Sequence, residues 1–367
     1  MKIAFVIGSL AGGGAERVVA RLASQFAKQG HCVTIYLIAK NLIEYEINKN
    51  IEVIFVNTSV AIRGLKYLER AFRVRKHVNL LCPDIVISFT SGVSSFVLFA
   101  LHGTRHRVII SERNNPYTDP ASPKARKKRD KLYENADGLV FQTLDAKYYF
   151  SKTIQNKSTI IINPIGEDIP LPYVGVREPV IVSVGRLEPQ KNHQLLIDAF
   201  AEVHRQLPNY TLKIYGDGSL KERLQEQIVQ YNLCENVLLM GHSQNVLYDI
   251  RDASVFVLSS DFEGISNALM EAMAIGIPVI STDHPIGGAR FLIKSGYTGI
   301  LTPVGDKDAL ALSILKILLN KKYAESMALN ALNVRNLASI ETVADEWLNF
   351  INKILNTKYV ISSAFLV

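Results

Sequence analysis

The chain opens on an apolar run, Lys2 to Ile7, which soon gives way to three glycines, Gly12-Gly13-Gly14. The period of the pattern then changes. Apolar residues recur every three or four positions from Ala15 to Gln29, which predicts a helix, and Gly30 caps it. Cys32 to Ile38 predicts the next strand. Ile51 to Val56, Ile85 to Phe89, Val108 to Ser111, Gly138 to Gln142 and Thr159 to Asn163 predict further strands. These runs are β-branched and alternate only weakly, as expected for strands covered on both faces. Helical stretches lie between them, including Leu65 to Val78 and a basic one, Lys124 to Glu134.

Glu167 to Pro179 is rich in Pro and Gly, has no period, and reads as a linker. The grammar then restarts. Val180 to Val184, Thr211 to Tyr215, Val237 to Met240, Val255 to Leu258, Pro278 to Ser281 and Gly299 to Leu301 predict strands. His193 to Gln206, Leu220 to Tyr231, Ala309 to Leu319 and Ile340 to Leu355 predict helices. Two successive βα arrays predict an α/β protein with two parallel-sheet domains facing a cleft, 1–168 and 169–338. A last helix, 339–356, and a tail, 357–367, follow.

Composition narrows the class. The 367 residues are 48% hydrophobic and 20% charged, which excludes a disordered chain, a collagen and a small disulfide scaffold. Cys32, Cys82 and Cys234 lie far apart with no metal-ligand spacing, as in a cytosolic protein with reduced thiols. The longest apolar stretch, around Val93 to Leu101, falls short of the ~20 residues a membrane span needs. Ile3 to Leu10 runs straight into glycines and Glu16-Arg17, the pattern of strand, loop and helix rather than of a signal peptide. Net charge is +7, and it is divided unevenly. Residues 1–170 hold 24 Lys/Arg against 14 Asp/Glu, and residues 171–367 hold 17 against 20. The basic half is expected to meet something anionic. Aromatic and basic residues are not interleaved and no nucleic-acid module is present, which points away from nucleic acid.

Several residues have the chemistry of a binding site. Gly12-Gly13-Gly14 brings backbone amides to a helix N-terminus, a geometry that suits phosphate. The spacing is not GxGxxG and no acidic residue stands where a dinucleotide ribose would need it, which lowers a dehydrogenase reading. Strand Val180 to Val184 ends in Gly185-Arg186-Leu187, with Lys191 five residues beyond Arg186. Two cations in a loop at the carboxyl end of a strand can grip a diphosphate. Glu263 and Glu271 are eight residues apart and on one helix would diverge by about 80°. Glu263 is therefore expected in a loop and Glu271 in the following helix, with Ser266 or Asn267 as N-cap. The amides of Gly264, Ile265, Ser266 and Asn267 then offer a second anion site. Asp306-Lys307-Asp308 has the form of a metal-binding DxD, but its place at a helix start favours capping. The eight histidines form no metal set, and His193 reads as packing.

The motifs GGGAERV (Gly12 to Val18), ISERNNP (Ile110 to Pro116), VGRLEPQKN (Val184 to Asn192), YGDGSL (Tyr215 to Leu220), EGISNALMEAMA (Glu263 to Ala274) and HPIGGARFLI (His284 to Ile293) run in one order across the chain. In them the chain resembles the family 4 glycosyltransferases, which have the GT-B fold, and among these the bacterial enzymes that extend lipid-linked oligosaccharides. The resemblance implies a UDP-sugar donor bound mainly by the second domain. It implies that Arg186 and Lys191 hold the diphosphate, Glu271 the ribose hydroxyls and Glu263 the donor sugar. It puts Gly13 and Gly14 beside the diphosphate, Gly216, Asp217 and Gly218 near the nucleotide, and His284 to Gly288 over the donor sugar. It implies retention of anomeric configuration, and a last helix that crosses back to the first, acceptor-binding domain. Phe291 departs from the pattern, since relatives commonly carry an acidic residue after Arg290.

Expected partners follow from charge. Lys66, Arg70, Arg73 and His77 are spaced along one helix, with Leu65, Leu68 and Phe72 on another face. Lys124, Arg126, Lys127, Lys128, Arg129 and Lys131 form a second cluster. Such faces suit anionic lipid headgroups, the diphosphate of a polyprenyl-linked acceptor, or plain solvent. The expectation is a cytoplasmic enzyme at the inner face of the membrane, with no cofactor and no essential metal. Glu112 and Arg113, at the end of a first-domain strand, are candidates for positioning the acceptor or for a structural ion pair.

Overall fold

The structure, a computed structural model, describes residues 1–60 and 62–357. The chain divides into two compact units. Unit one holds Met1–Gln142, Ala146–Pro164 and the chain from Ile340 onward, and unit two holds Thr143–Asp145 and Ile165–Ser339. Of the expected tail, only Thr357 lies among the described residues.

Unit one runs β1 (Lys2–Ile7), α1 (Gly14–Lys28), β2 (Cys32–Leu37), β3 (Glu52–Phe55), α2 (Arg63–Leu81), β4 (Ile85–Phe89), α3 (Ser91–Ala100), β5 (Val108–Ser111), α4 (Pro123–Tyr133), β6 (Gly138–Phe141), α5 (Leu144–Tyr148), α6 (Lys152–Asn156) and β7 (Ser158–Ile160). Unit two runs β8 (Glu178–Val184), α7 (His193–Gln206), β9 (Thr211–Tyr215), α8 (Lys221–Gln230), β10 (Val237–Gly241), α9 (Val246–Ile250), β11 (Ala253–Leu258), α10 (Asn267–Ala274), β12 (Val279–Thr282), α11 (Gly288–Leu292), β13 (Ile300–Thr302), α12 (Lys307–Leu319), α13 (Lys321–Ala331) and α14 (Val334–Leu337). The last helix, α15 (Ile340–Asn356), belongs to unit one.

Both sheets are parallel, with strand orders β3-β2-β1-β4-β5-β6-β7 and β10-β9-β8-β11-β12-β13. The central strands are buried on both faces, which is why they lack alternation. In each sheet the strand order reverses beside one central strand, between β1 and β4 and between β8 and β11. Loops leaving the carboxyl ends of such a pair part in opposite directions and leave a crevice.

Helix α1 buries the stripe Val18, Val19, Leu22, Ala23 and Phe26, and Gly30, at φ 83°, supplies its left-handed stop. Helix α15 buries Trp347, Phe350, Ile351 and Ile354. Trp347 stacks on Phe89 of β4 at 5.8 Å. Gly138 is a glycine because Phe350 fills its side-chain position: a Cβ there would lie 2.9 Å from that ring. The expected linker is irregular, with no helix or strand between Ile160 and Glu178, but parts of it are tied down. The Ile165 amide donates to the Ala338 carbonyl, Arg335 donates to the Pro170 carbonyl, and β8 already begins at Glu178. Proline and glycine prevent a ladder there, so a side chain from α14 satisfies the backbone instead. Among the described residues no helix is long and apolar enough to cross a membrane.

Candidate active site

The reversal in the second sheet lies between β8 and β11, and the loops leaving these strands are Gly185–Asn192 and Ser259–Ser266. They are stitched together. Ser259 Oγ donates to the Lys191 carbonyl (2.9 Å), Asn192 Nδ2 to Asp261 Oδ1 (2.8 Å), the Asp261 amide to the Gln190 carbonyl (2.9 Å), and Gln190 Nε2 to the Phe262 carbonyl (2.9 Å). Lys191 Nζ and Glu263 Oε1 then meet at 2.5 Å, with the two side chains 14% and 11% exposed. Ser260 Oγ also donates to Glu263 Oε1 (3.0 Å), and Thr282 Oγ1 anchors Ser260 through its carbonyl (2.5 Å). The stem of Lys191 lies across Gly185, where a Cβ would be 3.1 Å from it. Arg186 projects from the same loop and is exposed. A fixed cation, a fixed carboxylate and an exposed guanidinium therefore share one crevice. The polar run Ser259-Ser260-Asp261 after an apolar strand was the signal for the stitching residues, which the motif reading passed over.

Gly216 and Gly218 are placed by packing. A Cβ on Gly216 would lie 2.1 Å from the Gly185 carbonyl oxygen, and one on Gly218 would lie 2.5 Å from that of Leu187. Between them the Asp217 carbonyl accepts from the Leu187 amide (2.9 Å), while its carboxylate pairs with Lys221 (3.2 Å). Glu188 accepts from the amide and hydroxyl of Ser219, which holds its carboxyl below the ordinary range. The YGDGSL turn thus seats directly on the Gly185–Lys191 loop. On the other loop, a Cβ on Gly288 would lie 1.7 Å from the Gly264 carbonyl oxygen, so only glycine lets α11 close on the segment that carries Glu263.

Glu271 lies in α10 and is buried, as are Ile265 and Ser266. Ser266 is the N-cap, with its hydroxyl accepting from the Leu269 amide (3.4 Å), and Asn267 is the first helical residue. Two buried histidines flank the Lys191–Glu263 pair. His284 is fully buried, with Nδ1 near the Pro285 carbonyl (3.3 Å), and burial holds its pKa down. His193 sits against the backbone of Gly185 and Arg186, and burial, aided by Lys191, holds its pKa down to about 4. Between pH 6.5 and 4 the unfolded chain binds a proton that native His193 refuses. Stability therefore falls as pH falls through that window, by about 3 kcal/mol at pH 4 for the full effect of this group. Urea denaturation at pH 7 and pH 4.5 is expected to show a smaller stability difference in His193→Gln than in the wild type. An equal difference in both would remove His193 from the account.

In unit one, Gly13 is the N-cap of α1 and Gly14 its first residue. The Gly13 carbonyl accepts from Tyr45 Oη (3.0 Å), and the Glu16 carboxylate folds over the Cα of Gly13, where a Cβ would lie 1.9 Å from Oε2. Glu112, at the end of β5, is 2% exposed. Its Oε1 accepts from the amides of Arg113 (3.0 Å) and Asn114 (3.2 Å), and its Oε2 from Tyr133 Oη (2.9 Å). Burial raises its carboxyl above the usual range. The expected side-chain pair with Arg113 is replaced by another contact. Arg113 Nη1 donates to Asn163 Oδ1 (2.5 Å), and its guanidinium lies 4.7 Å from the Phe89 ring centroid.

The two basic clusters separate into different roles. On α4 Lys124, Lys127, Lys128 and Lys131 are exposed on one face. Arg126 is turned back to the Pro120 and Ala121 carbonyls, and Arg129 is buried. On α2 Arg73 is bound to Glu69, whose carboxylate also accepts from Ser59 and Val60, while Ile62, Leu65, Leu68 and Phe72 are each more than half exposed. Asp306 caps α12 through the Ala309 amide (2.9 Å), and Lys307 pairs with Glu202 and Asp308.

The sequence profile for glycosyl transferases group 1 matches residues 174–334, and that for Glycosyltransferase Family 4 matches residues 12–168. The N-acetylgalactosamine-N,N'-diacetylbacillosaminyl-diphospho-undecaprenol 4-alpha-N-acetylgalactosaminyltransferase of Campylobacter jejuni is 32% identical over 331 residues, covering 84% of this chain and 88% of that one. The chain belongs to the family 4 glycosyltransferases. A second Campylobacter jejuni relative of this glycosyltransferase, the GalNAc-alpha-(1->4)-GalNAc-alpha-(1->3)-diNAcBac-PP-undecaprenol alpha-1,4-N-acetyl-D-galactosaminyltransferase, is 27% identical over 97% of this chain and 99% of its own. The glycosyltransferase has the GT-B fold. Sucrose-phosphate synthase from Thermosynechococcus elongatus superposes with a TM-score of 0.81 at 20% identity, over 96% of this chain and 98% of that one. Anabaena HepE in complex with UDP gives 0.80 at 19% identity, over 96% and 100%.

Proposed function

We propose that this glycosyltransferase moves a hexose or N-acetylhexosamine from a UDP-sugar to a polyprenyl-diphosphate-linked saccharide, with retention and without an essential metal. The Lys191–Glu263 pair at the β8/β11 crevice carries the reading. The activities named for the Campylobacter relatives, transfer of N-acetylgalactosamine to undecaprenyl-diphosphate glycans, support the choice of acceptor.

The chemistry follows from charge. As the anomeric C–O bond breaks, the sugar becomes oxocarbenium-like and negative charge grows on the diphosphate. Lys191, Arg186 and the amides of Gly264, Ile265, Ser266 and Asn267 stabilise that charge, and they favour the transition state over the ground state. Glu263, released from Lys191 when the phosphate arrives, accepts hydroxyls of the donor sugar, and Glu271 those of the ribose. Asp217, Gly216 and Gly218 support the diphosphate loop. The acceptor oxygen bonds to the anomeric carbon on the face that the diphosphate leaves, and its proton passes to the leaving diphosphate. Glu112, enclosed and raised in pKa, positions the acceptor loop by holding the amides of Arg113 and Asn114.

The test is UDP release from a panel of UDP-sugars, with and without polyprenyl-diphosphate glycan from membrane extract, in EDTA and in manganese. Acceptor-stimulated release that persists in EDTA is expected. UDP binding without release would make the chain a donor-binding subunit, sugar conversion without release an epimerase, and loss in EDTA restored by manganese a metal enzyme.

Docking at the inner face of the cytoplasmic membrane belongs to the same proposal. The exposed stripe Ile62, Leu65, Leu68 and Phe72 and the four α4 lysines have the composition of an interfacial surface. Each lysine contributes about 1 kcal/mol at an anionic surface. Replacing all four by alanine is expected to lower partitioning onto phosphatidylglycerol vesicles by at least about a hundredfold. Unchanged sedimentation with those vesicles would remove α4 from the docking face.

A further inference from the structure

The loop after β5 does more than present Glu112 and Arg113. Its outer half carries Tyr117, which is 56% exposed yet held in place. The Tyr117 amide donates to Asn115 Oδ1 (2.9 Å), and the amides of Thr118 and Asp119 donate to the Asn115 carbonyl (3.1 and 2.8 Å). Arg129 Nη2 donates to the Pro116 carbonyl (3.0 Å). The phenol ring meets Tyr149 edge to face at 4.7 Å. Tyr149 is itself fixed, with Oη donating to Asp130 Oδ2 (3.1 Å) and the Arg129 guanidinium 5.2 Å from its ring centroid. A buried cation thus braces an exposed aromatic ring through a second ring.

We infer that Tyr117 is the stacking platform for a sugar ring of the acceptor saccharide. The inference rests on the transferase reading above and names a subsite for it. A pyranose presents an apolar C–H face with a rim of hydroxyls. The face is matched by an aromatic ring whose electron-rich surface is open. The rim needs hydrogen-bonding groups beside that ring, and the loop supplies the exposed amide of Asn114 and the carboxylate of Asp119. The bonds that Asp119 receives from Ser91 Oγ (2.5 Å) and Asn114 Nδ2 (3.1 Å) both fall on Oδ2. They orient the group and leave Oδ1 for a hydroxyl. The polar groups beside the ring (Asn114, Thr118, Asp119) match a hydroxyl-rimmed sugar better than a greasy protein or lipid contact. The loop leaves the carboxyl edge of its sheet, the edge at which open parallel sheets take ligands. Because ring and backbone are already ordered, stacking loses little conformational freedom.

The probe is N-acetylgalactosamine on a short polyprenyl diphosphate, with the sugar-free polyprenyl diphosphate as control and UDP-N-acetylgalactosamine as donor. Tyr117→Ala is expected to raise the acceptor KM roughly tenfold and to leave kcat and the donor KM within about twofold. Tyr117→Phe keeps the acceptor KM, because the ring and not the hydroxyl is used. The chain has a single tryptophan, Trp347, which is fully buried. The added indole of the Tyr117→Trp variant therefore reports on the loop directly, and its emission is expected to shift saturably with the glycosylated probe and not with the control. An unchanged acceptor KM in Tyr117→Ala overturns the inference and leaves the transferase reading standing. A saturable shift without any transfer supports the subsite and counts against the transferase reading. Equal shifts with probe and control, or none with either, overturn the subsite.

Discussion

Lys191→Ala is expected to lower kcat/KM for sugar transfer by a hundredfold to a thousandfold, about what loss of one preorganised charge-stabilising donor costs an enzyme. Its ammonium is placed in the β8/β11 crevice by Glu263 at 2.5 Å before the phosphate arrives, and the carbonyl-bound backbone of its own turn keeps it there when charge develops. The same substitution acts on stability. It leaves a largely buried Glu263 carboxylate with only Ser260 as partner, at a cost of about 3 kcal/mol. The double variant Lys191→Ala/Glu263→Ala separates the two effects. It is expected to recover most of the stability and none of the activity. UDP-release rates and urea denaturation of the three proteins measure both. A Lys191→Ala enzyme within tenfold of wild type would remove Lys191 from the diphosphate site. Lys191→Arg is expected to recover little, since the stem already touches Gly185 and a guanidinium is larger.

Arg129→Leu is expected to be strongly destabilising. The guanidinium is 1% exposed. It donates to the carbonyls of Asp119 and Pro116 and to Asp130, and lies between 5.1 and 5.8 Å from the ring centroids of Tyr133, Tyr149 and Phe150. Its charge also opposes the burial that raises the Glu112 carboxyl. Without it, two carbonyls lose their donor and Glu112 loses its nearby cation. The expected loss is about 3–5 kcal/mol, and at roughly 2–4 °C per kcal/mol the melting temperature falls by about 6–20 °C. Arg129→Lys is expected to rescue little, because one ammonium cannot serve two carbonyls and a carboxylate with the geometry of a planar fork. Calorimetry of both variants at pH 7 checks this, and a melting temperature within about 2 °C of wild type would show that the cluster is not structural.

Much of the architecture was legible along the chain. The β-branched runs locate the strands to within a residue or two, since burial on both faces leaves little choice of residue, except that the run Thr159 to Asn163 continues three residues past the end of β7 at Ile160. Gly30 and Asp306 announce a helix end and a helix start by local chemistry that needs no tertiary partner. Helix α3 was less legible. Its ten residues Ser91–Ala100 are apolar nearly all round, and a short apolar run has no period to read. The linker was legible as a loop from its composition, but its hold by distant Arg335 was not.

The candidate site divides in the same way. The sequence by itself determined which residue types are available, and it placed Arg186, Lys191, Glu263 and Glu271 at strand ends and a helix start, because these positions follow from local hydrophobic pattern and capping. Only the tertiary structure decided which of them meet. Lys191 and Glu263 are 72 residues apart and become a pair because β8 and β11 are neighbours in the sheet. Only the tertiary structure, likewise, turned Arg129 inward while leaving Lys127 and Lys128 in solvent, and sent Arg113 to Asn163 rather than to Glu112. A charge run has no direction until a helix face is buried, and an ion pair has no partner until strand order brings two loops to one edge.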